Sequence, residues 1–125
     1  KFDEQLRTAQ DHDMAVRVSE ITKLAYVPHV LWAYRRHSAS LSKRSHELRW
    51  RNGFYILEKA ARRYRYPARV IRGRRAVLHF RLGQLAFERK AWLRAARHFV
   101  AAGMLNPTRA IGVLIGKEAV SSPHS

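Results

Sequence analysis

The chain has 125 residues, of which 46% are hydrophobic and none is cysteine, so it can bury a core but cannot use disulfides or thiolate metal sites. Its 25 Lys and Arg against 9 Asp and Glu give a net charge of +16, which calls for an anionic partner: a phosphorylated ligand, an acidic membrane surface or nucleic acid. No stretch approaches the roughly 20 apolar residues of a membrane-spanning helix. The chain opens Lys1-Phe2-Asp3-Glu4, with neither Met nor a basic-then-apolar leader, and reads as a cut made inside a larger protein.

In chain order, residues 8–21 read as a helix that Thr8 can cap, with Met14, Val18 and Ile21 at helical spacing. Residues 23–27 read as a strand stopped by Pro28. The apolar run 30–34, holding Trp32, reads as a buried strand. Ser38, Ser40 and Ser42 mark a loop. The charge changes character there. Residues 1–20 carry five of the nine acids, whereas 44–97 carry sixteen basic residues and only Glu47, Glu58 and Glu88. A boundary near residue 43 follows, dividing 1–43 from a basic helical tail, 44–125.

That tail reads as helices. Over 45–65, Trp50, Phe54, Leu57, Ala61 and Tyr64 form an apolar stripe, and Pro67 ends the helix. Further helices are predicted over about 68–88 and 91–104. Asn106-Pro107 then looks like an N-cap followed by proline at the first helical position, opening a short apolar helix with Ile111, Leu114 and Ile115. Leu82-Gly83, Ala95, Phe99, Ala102 and Pro107 fall at the spacing of a tetratricopeptide repeat. Only one copy is present, which predicts a helical hairpin packed through small residues.

The segment Gln10-Asp11-His12-Asp13-Met14-Ala15-Val16-Arg17 carries the most chemistry. Asp13 lies four residues before Arg17, the spacing of an intrahelical ion pair. Asp11 shares a helical side with Met14 and Val18, which predicts an inward carboxylate near a helix start, where the dipole favours negative charge. Such a group is either an ordinary helix-start acid or a general base. The histidines show no zinc-like spacing.

Phe2-Asp3-Glu4 followed by Gln10-Asp11-His12-Asp13 and Arg17 resembles the family 2 glycosyltransferases, in which "FDE" precedes a "(E/Q)DxDxxxR" helix. Tyr26-Val27-Pro28 and Val30-Leu31 are similar to the family's strand and turn. Tyr34-Arg35-Arg36-His37, with Ser38, Ser40 and Ser42, is similar to its "YRxHxxSxS" stretch. The resemblance covers residues 2–43. It implies an α/β fragment, mostly α here: the end of a GT-A nucleotide-diphospho-sugar transferase domain (one helix plus two strands), followed by a C-terminal helical bundle. It implies sugar transfer with inversion from a nucleotide-diphosphate donor to a hydroxyl of a glycan, lipid-linked or cell-wall acceptor.

On that resemblance Asp11 is the catalytic base, supported by Asp13 and Arg17. His37, Arg35 and Arg36 face the donor phosphates, and His37 is also a candidate metal ligand. A divalent metal, Mg2+ or Mn2+, is expected mainly through a preceding half that also binds the donor, so residues 1–125 alone are expected to be inactive. Asp11-His12-Asp13 is not expected to be the family's metal motif, because it lies on a helix after "FDE". The expected location is cytoplasmic, peripheral to the inner face of the cell membrane, with the arginine-rich tail on anionic lipid. The competing reading is a basic helical module that binds nucleic acid or protein partners. No helix-turn-helix, RNA-binding aromatic motif or zinc finger supports it, and nucleic acid is not the expected partner.

Overall fold

A computed structural model describes residues 1–31 and 46–114. The described residues form five helices: α1 (Gln10–Ile21), α2 (His46–Arg63), α3 (Ala68–Glu88), α4 (Trp92–Leu105) and α5 (Pro107–Leu114). Helix α3 is central. It packs on α2 on one side and, more extensively, on α4 on the other; α5 folds back on α4, and α1 rests on α2.

The core follows from this order. Trp50 of α2 meets Leu78, Leu82 and Leu85 of α3, with Phe54 and Leu57 packed against them. Because α3 is covered on two sides, its buried residues (Ala76, Leu78, Leu82, Gly83, Leu85, Ala86) go round the helix instead of forming one stripe. Two glycines let helices approach closely. A Cβ on Gly53 would stand 2.6 Å from Leu78 Cδ2, and one on Gly83 would stand 2.8 Å from Phe99 Cε1. Gly83 and Phe99, with buried Ala95 and Ala102, form the small-residue seam of the α3–α4 hairpin.

Helix ends match their local chemistry only in part. Asn106 caps α5: its Oδ1 accepts the backbone N–H of Arg109 at 3.2 Å. Pro67 stands at the N-cap of α3 and separates it from α2. Thr8 does not cap α1. The N-cap is Ala9, in the left-handed region at φ 62°, and Thr8 instead accepts the Asn52 amide through both its carbonyl and hydroxyl oxygens, each at 3.1 Å.

The α/β expectation for residues 1–43 is overturned. Among the described residues there is no strand and no sheet. Residues 23–31 are irregular, and Leu24, Tyr26, Val30 and Leu31 are exposed. A strand is completed by the hydrogen bonds of a neighbouring strand, and every described element that could lie beside this segment is a helix. Residues 32–34 of the second expected strand, and the serine loop, lie outside the described residues. The stripe on α2 is also rotated: Gly53, Ile56 and Ala60 are buried with Trp50, whereas Ala61 and Tyr64 are exposed. The N-terminal segment accounts for part of this turn, because Asn52, Tyr55, Lys59 and Arg63 of α2 all bond to it.

Candidate functional site

Residues 1–21 are fastened to α2 by charge. Asp13 is fully buried. Its Oδ2 accepts Arg17 Nε at 3.1 Å, and its Oδ1, which makes no well-directed hydrogen bond, lies 3.3 Å from Lys59 Nζ. Lys59 also donates to Asp3. The Lys59 hydrogen bond holds the Asp3 carboxyl below the usual range, and the Asp3 bond in turn raises Lys59. At the far end of α1, Glu20 accepts Arg63 at 2.5 and 3.0 Å and the Tyr66 hydroxyl at 2.8 Å. Asp13, Arg17 and Glu20 thus line the side of α1 that meets α2.

That assignment reverses the expected roles of the two aspartates. Asp13 is the inward carboxylate, paired with Arg17, and Asp11 is exposed on the first turn. Two residues apart on a helix is about 200°, so the ion pairs that pull Asp13 toward α2 turn Asp11 away. Met14 and Val18 are half-buried between these directions. The first turn of α1 has no side-chain cap, which leaves its backbone N–H groups open beside Asp11. His37, Arg35 and Arg36 lie outside the described residues, so the structure does not bring them to Asp11.

Next to Asp11 is a group of cations that the sequence did not single out. His12 Nε2 lies 3.5 Å from an Arg74 guanidinium nitrogen. Arg49 and Arg81 both lie over the Trp50 ring, at 5.1 and 5.5 Å from its centre. Arg74 is half-buried, and the positive charges of Arg49 and Arg81 act on it. Burial and then these two arginines push Arg74 below the ordinary arginine value. Burial, Arg109 and Arg49 do the same to Arg81. Burial and Arg74 also lower His12, against the opposing pull of Asp11. The sequence signal was Arg74 and Arg81 flanking Leu78 on α3: residues at i−4 and i+3 of a fully buried leucine share its side of the helix.

A second feature lies between α2, α3 and α4. A cavity of about 390 Å3 has an apolar floor of Phe54, Leu82, Leu85 and Ala86 and a charged rim of Glu47, Arg51, Arg89 and Arg94, with His98 at its wall. Glu47 neutralises part of that rim, pairing with Arg51 at 2.9 Å and with Arg89. Behind His98, its Nδ1 and that of His79 are 3.1 Å apart, so one must donate and the other accept. Burial lowers both histidines, and Arg75 beside His79, with His79 and Arg97 beside His98, adds to it.

Among the described residues no three His, Asp or Glu side chains converge as metal ligands; the expected metal involves a preceding half and His37, which lie outside them. Among the same residues no helix is long and apolar enough to cross a membrane. No protein-family model, curated protein or solved structure matches the chain.

Proposed function

We propose that this chain is the acceptor-side part of an inverting glycosyltransferase, with Asp11 as the general base. The observation that carries the reading is the pairing of a locked helix with an accessible acid. Asp13, Lys59, Asp3 and Arg17 fix the start of α1, Glu20 and Arg63 fix its end, and Asp11 stands exposed on the held first turn. A base must be positioned before the reaction and still reach the proton it removes. The motif order from Phe2-Asp3-Glu4 to Arg17 supports the same assignment.

In the proposed reaction the Asp11 carboxylate takes the proton of an acceptor hydroxyl. That oxygen attacks the anomeric carbon of the donor sugar from the side opposite the diphosphate. The bond from that carbon to the diphosphate oxygen breaks, the diphosphate leaves with the electron pair, and the configuration inverts. Arg35, Arg36 and His37 are proposed to face the donor phosphates. A divalent metal would be held by a further part of the enzyme. The exposed apolar side chains of Ile21, Leu24, Tyr26, Val30 and Leu31 support a further protein surface packing here. The excess of positive charge supports a place at the anionic cytoplasmic face of the membrane.

The test is Asp11→Asn in the longer protein carrying residues 1–125, assayed for transfer from a nucleotide-diphosphate sugar. Loss of a general base predicts a fall in turnover of about 100- to 10,000-fold with donor binding retained. Undiminished turnover in the variant would remove Asp11 from the mechanism. Absence of any nucleotide-sugar binding by the unmutated protein would remove the glycosyltransferase reading.

A further inference from the structure

The chain contains few acids, and most of them are committed. Asp3 and Asp13 are paired with Lys59, Asp13 also with Arg17, Glu20 with Arg63, Glu47 with Arg51 and Arg89, and Glu58 with Arg62. No ion pair joins a described carboxylate to Arg49 or Arg74. Arg49 is exposed, but Arg74 is not a loose surface charge. Arg74 is half-buried in the middle of α3, touches His12 of α1 and faces Arg49 of α2 and Arg81 of its own helix. Arg49 and Arg81 are held over the flat face of Trp50, a residue of the core.

Bringing like charges together and partly removing them from water is unfavourable unless something opposite in charge joins them. Three helices and a core tryptophan hold this arrangement in place. Guanidinium groups offer forked donors that match phosphate oxygens, and an imidazole adds one donor.

We propose that Arg49, Arg74 and Arg81, with His12, form a binding site for a phosphate or diphosphate group at the junction of α1, α2 and α3. The site rests on the cluster's own geometry and needs no role for Asp11. Its ligand is a small phosphorylated molecule or the phosphate of a lipid headgroup; the chemistry at the arginines is the same. Direct arginine contacts to phosphate oxygens would give Arg49 and Arg74 the opposite charge that no described carboxylate supplies in an ion pair, so ligand binding should stabilise the chain.

The experiment uses the 125-residue chain and inorganic pyrophosphate, read by calorimetric titration and by melting temperature. Charge-assisted hydrogen bonds carry about 1.5–3 kcal/mol, or roughly 10- to 100-fold in affinity. Arg74→Gln and Arg49→Gln are each expected to weaken pyrophosphate binding by that factor and to abolish the ligand-induced rise in melting temperature. Arg65→Gln, which removes an exposed charge elsewhere, should leave both unchanged. Without ligand, Arg74→Gln should melt at the same temperature or higher, because it relieves repulsion; this outcome separates a binding arginine from a structural one.

A nucleoside diphosphate and vesicles containing phosphatidic acid distinguish the two sources. Tight binding of the soluble diphosphate assigns a soluble ligand. Vesicle association that pyrophosphate displaces and Arg74→Gln abolishes assigns a headgroup. The proposal is overturned if Arg74→Gln loses no more affinity than Arg65→Gln, or if its unliganded melting temperature falls. It is also overturned if single-stranded RNA binds far more tightly than pyrophosphate and all arginine variants weaken it equally.

Discussion

Lys59→Met is the most direct test of how residues 1–21 are held. Lys59 Nζ stands 3.3 Å from the buried Asp13 carboxylate and also bonds Asp3. At an effective dielectric of about 20, unit charges at that separation attract by about 5 kcal/mol before desolvation is counted. Removing one partner of a buried pair costs about 3–5 kcal/mol. Here Arg17 remains at 3.1 Å and Lys59 is partly exposed, so roughly half is expected, about 2–3 kcal/mol. For a chain of this length that is a fall in melting temperature of about 6–15 °C. The assay is thermal and urea unfolding of four proteins: unmutated, Lys59→Met, Asp13→Asn and the double variant. With Asp13→Asn already present the uncompensated charge is gone, and the cost of Lys59→Met should fall by more than half. An equal cost in both backgrounds would refute the idea that a buried carboxylate makes Lys59 necessary.

Other outcomes follow from the same contacts. Gly53→Ala drives a methyl into Leu78, which has no exposure to yield into, and should destabilise by about 1–2 kcal/mol despite alanine's helix preference. Gly73→Ala, with nothing within 4 Å, should stabilise by about 0.5–1 kcal/mol; melting both variants tests the contrast in sign. His12, His79 and His98 all titrate below their unfolded value of 6.5, so the unfolded chain binds more protons just below that pH. Their contribution is complete above about pH 6.5 and is lost as pH falls through the lowered values, and leucine at both 79 and 98 should flatten this slope in pH-dependent unfolding. Asp3, Glu20 and Glu47, all lowered, add a second loss below about pH 4, where salt should have little further effect because their ion pairs are already broken.

The helices were legible because their ends and periods are local properties. Asn106-Pro107 signals a helix start by itself, and Leu82-Gly83, Ala95, Phe99 and Ala102 already contain the α3–α4 seam. What escaped depends on distant partners. The face of α2 that is buried was misread by one turn of choice, Ala61 and Tyr64 in place of Gly53, Ile56 and Ala60, because the N-terminal segment bonds to that helix from more than 40 residues away. The segment 23–27 and the continuous apolar run 30–34 suggested strands, but apolar residues say nothing about whether a partner strand lies alongside. The order of Asp11 and Asp13 was inverted for the same reason. Helical spacing allows either to face inward, and Lys59 decides.

The distribution of charge links the fold to the two proposals. Among the described residues Asp3, Asp13, Glu20, Glu47 and Glu58 are used in ion pairs, and those involving Asp3, Asp13 and Glu20 fasten residues 1–21 to the helical bundle. The same fastening fixes the first turn of α1, and with it both Asp11 and His12. It therefore sets an exposed carboxylate beside the histidine that meets half-buried Arg74, on one support. A carboxylate that is to accept a proton gains from nearby cations only if they are occupied with another anion when the reaction occurs; otherwise they compete for the carboxylate itself. Arg74 facing His12 instead of pairing with Asp11 keeps those two roles apart. The two proposals consequently make separable claims on one site. Loss of phosphate binding in Arg74→Gln should leave the locked position of Asp11 intact, and Asp11→Asn should leave phosphate binding intact.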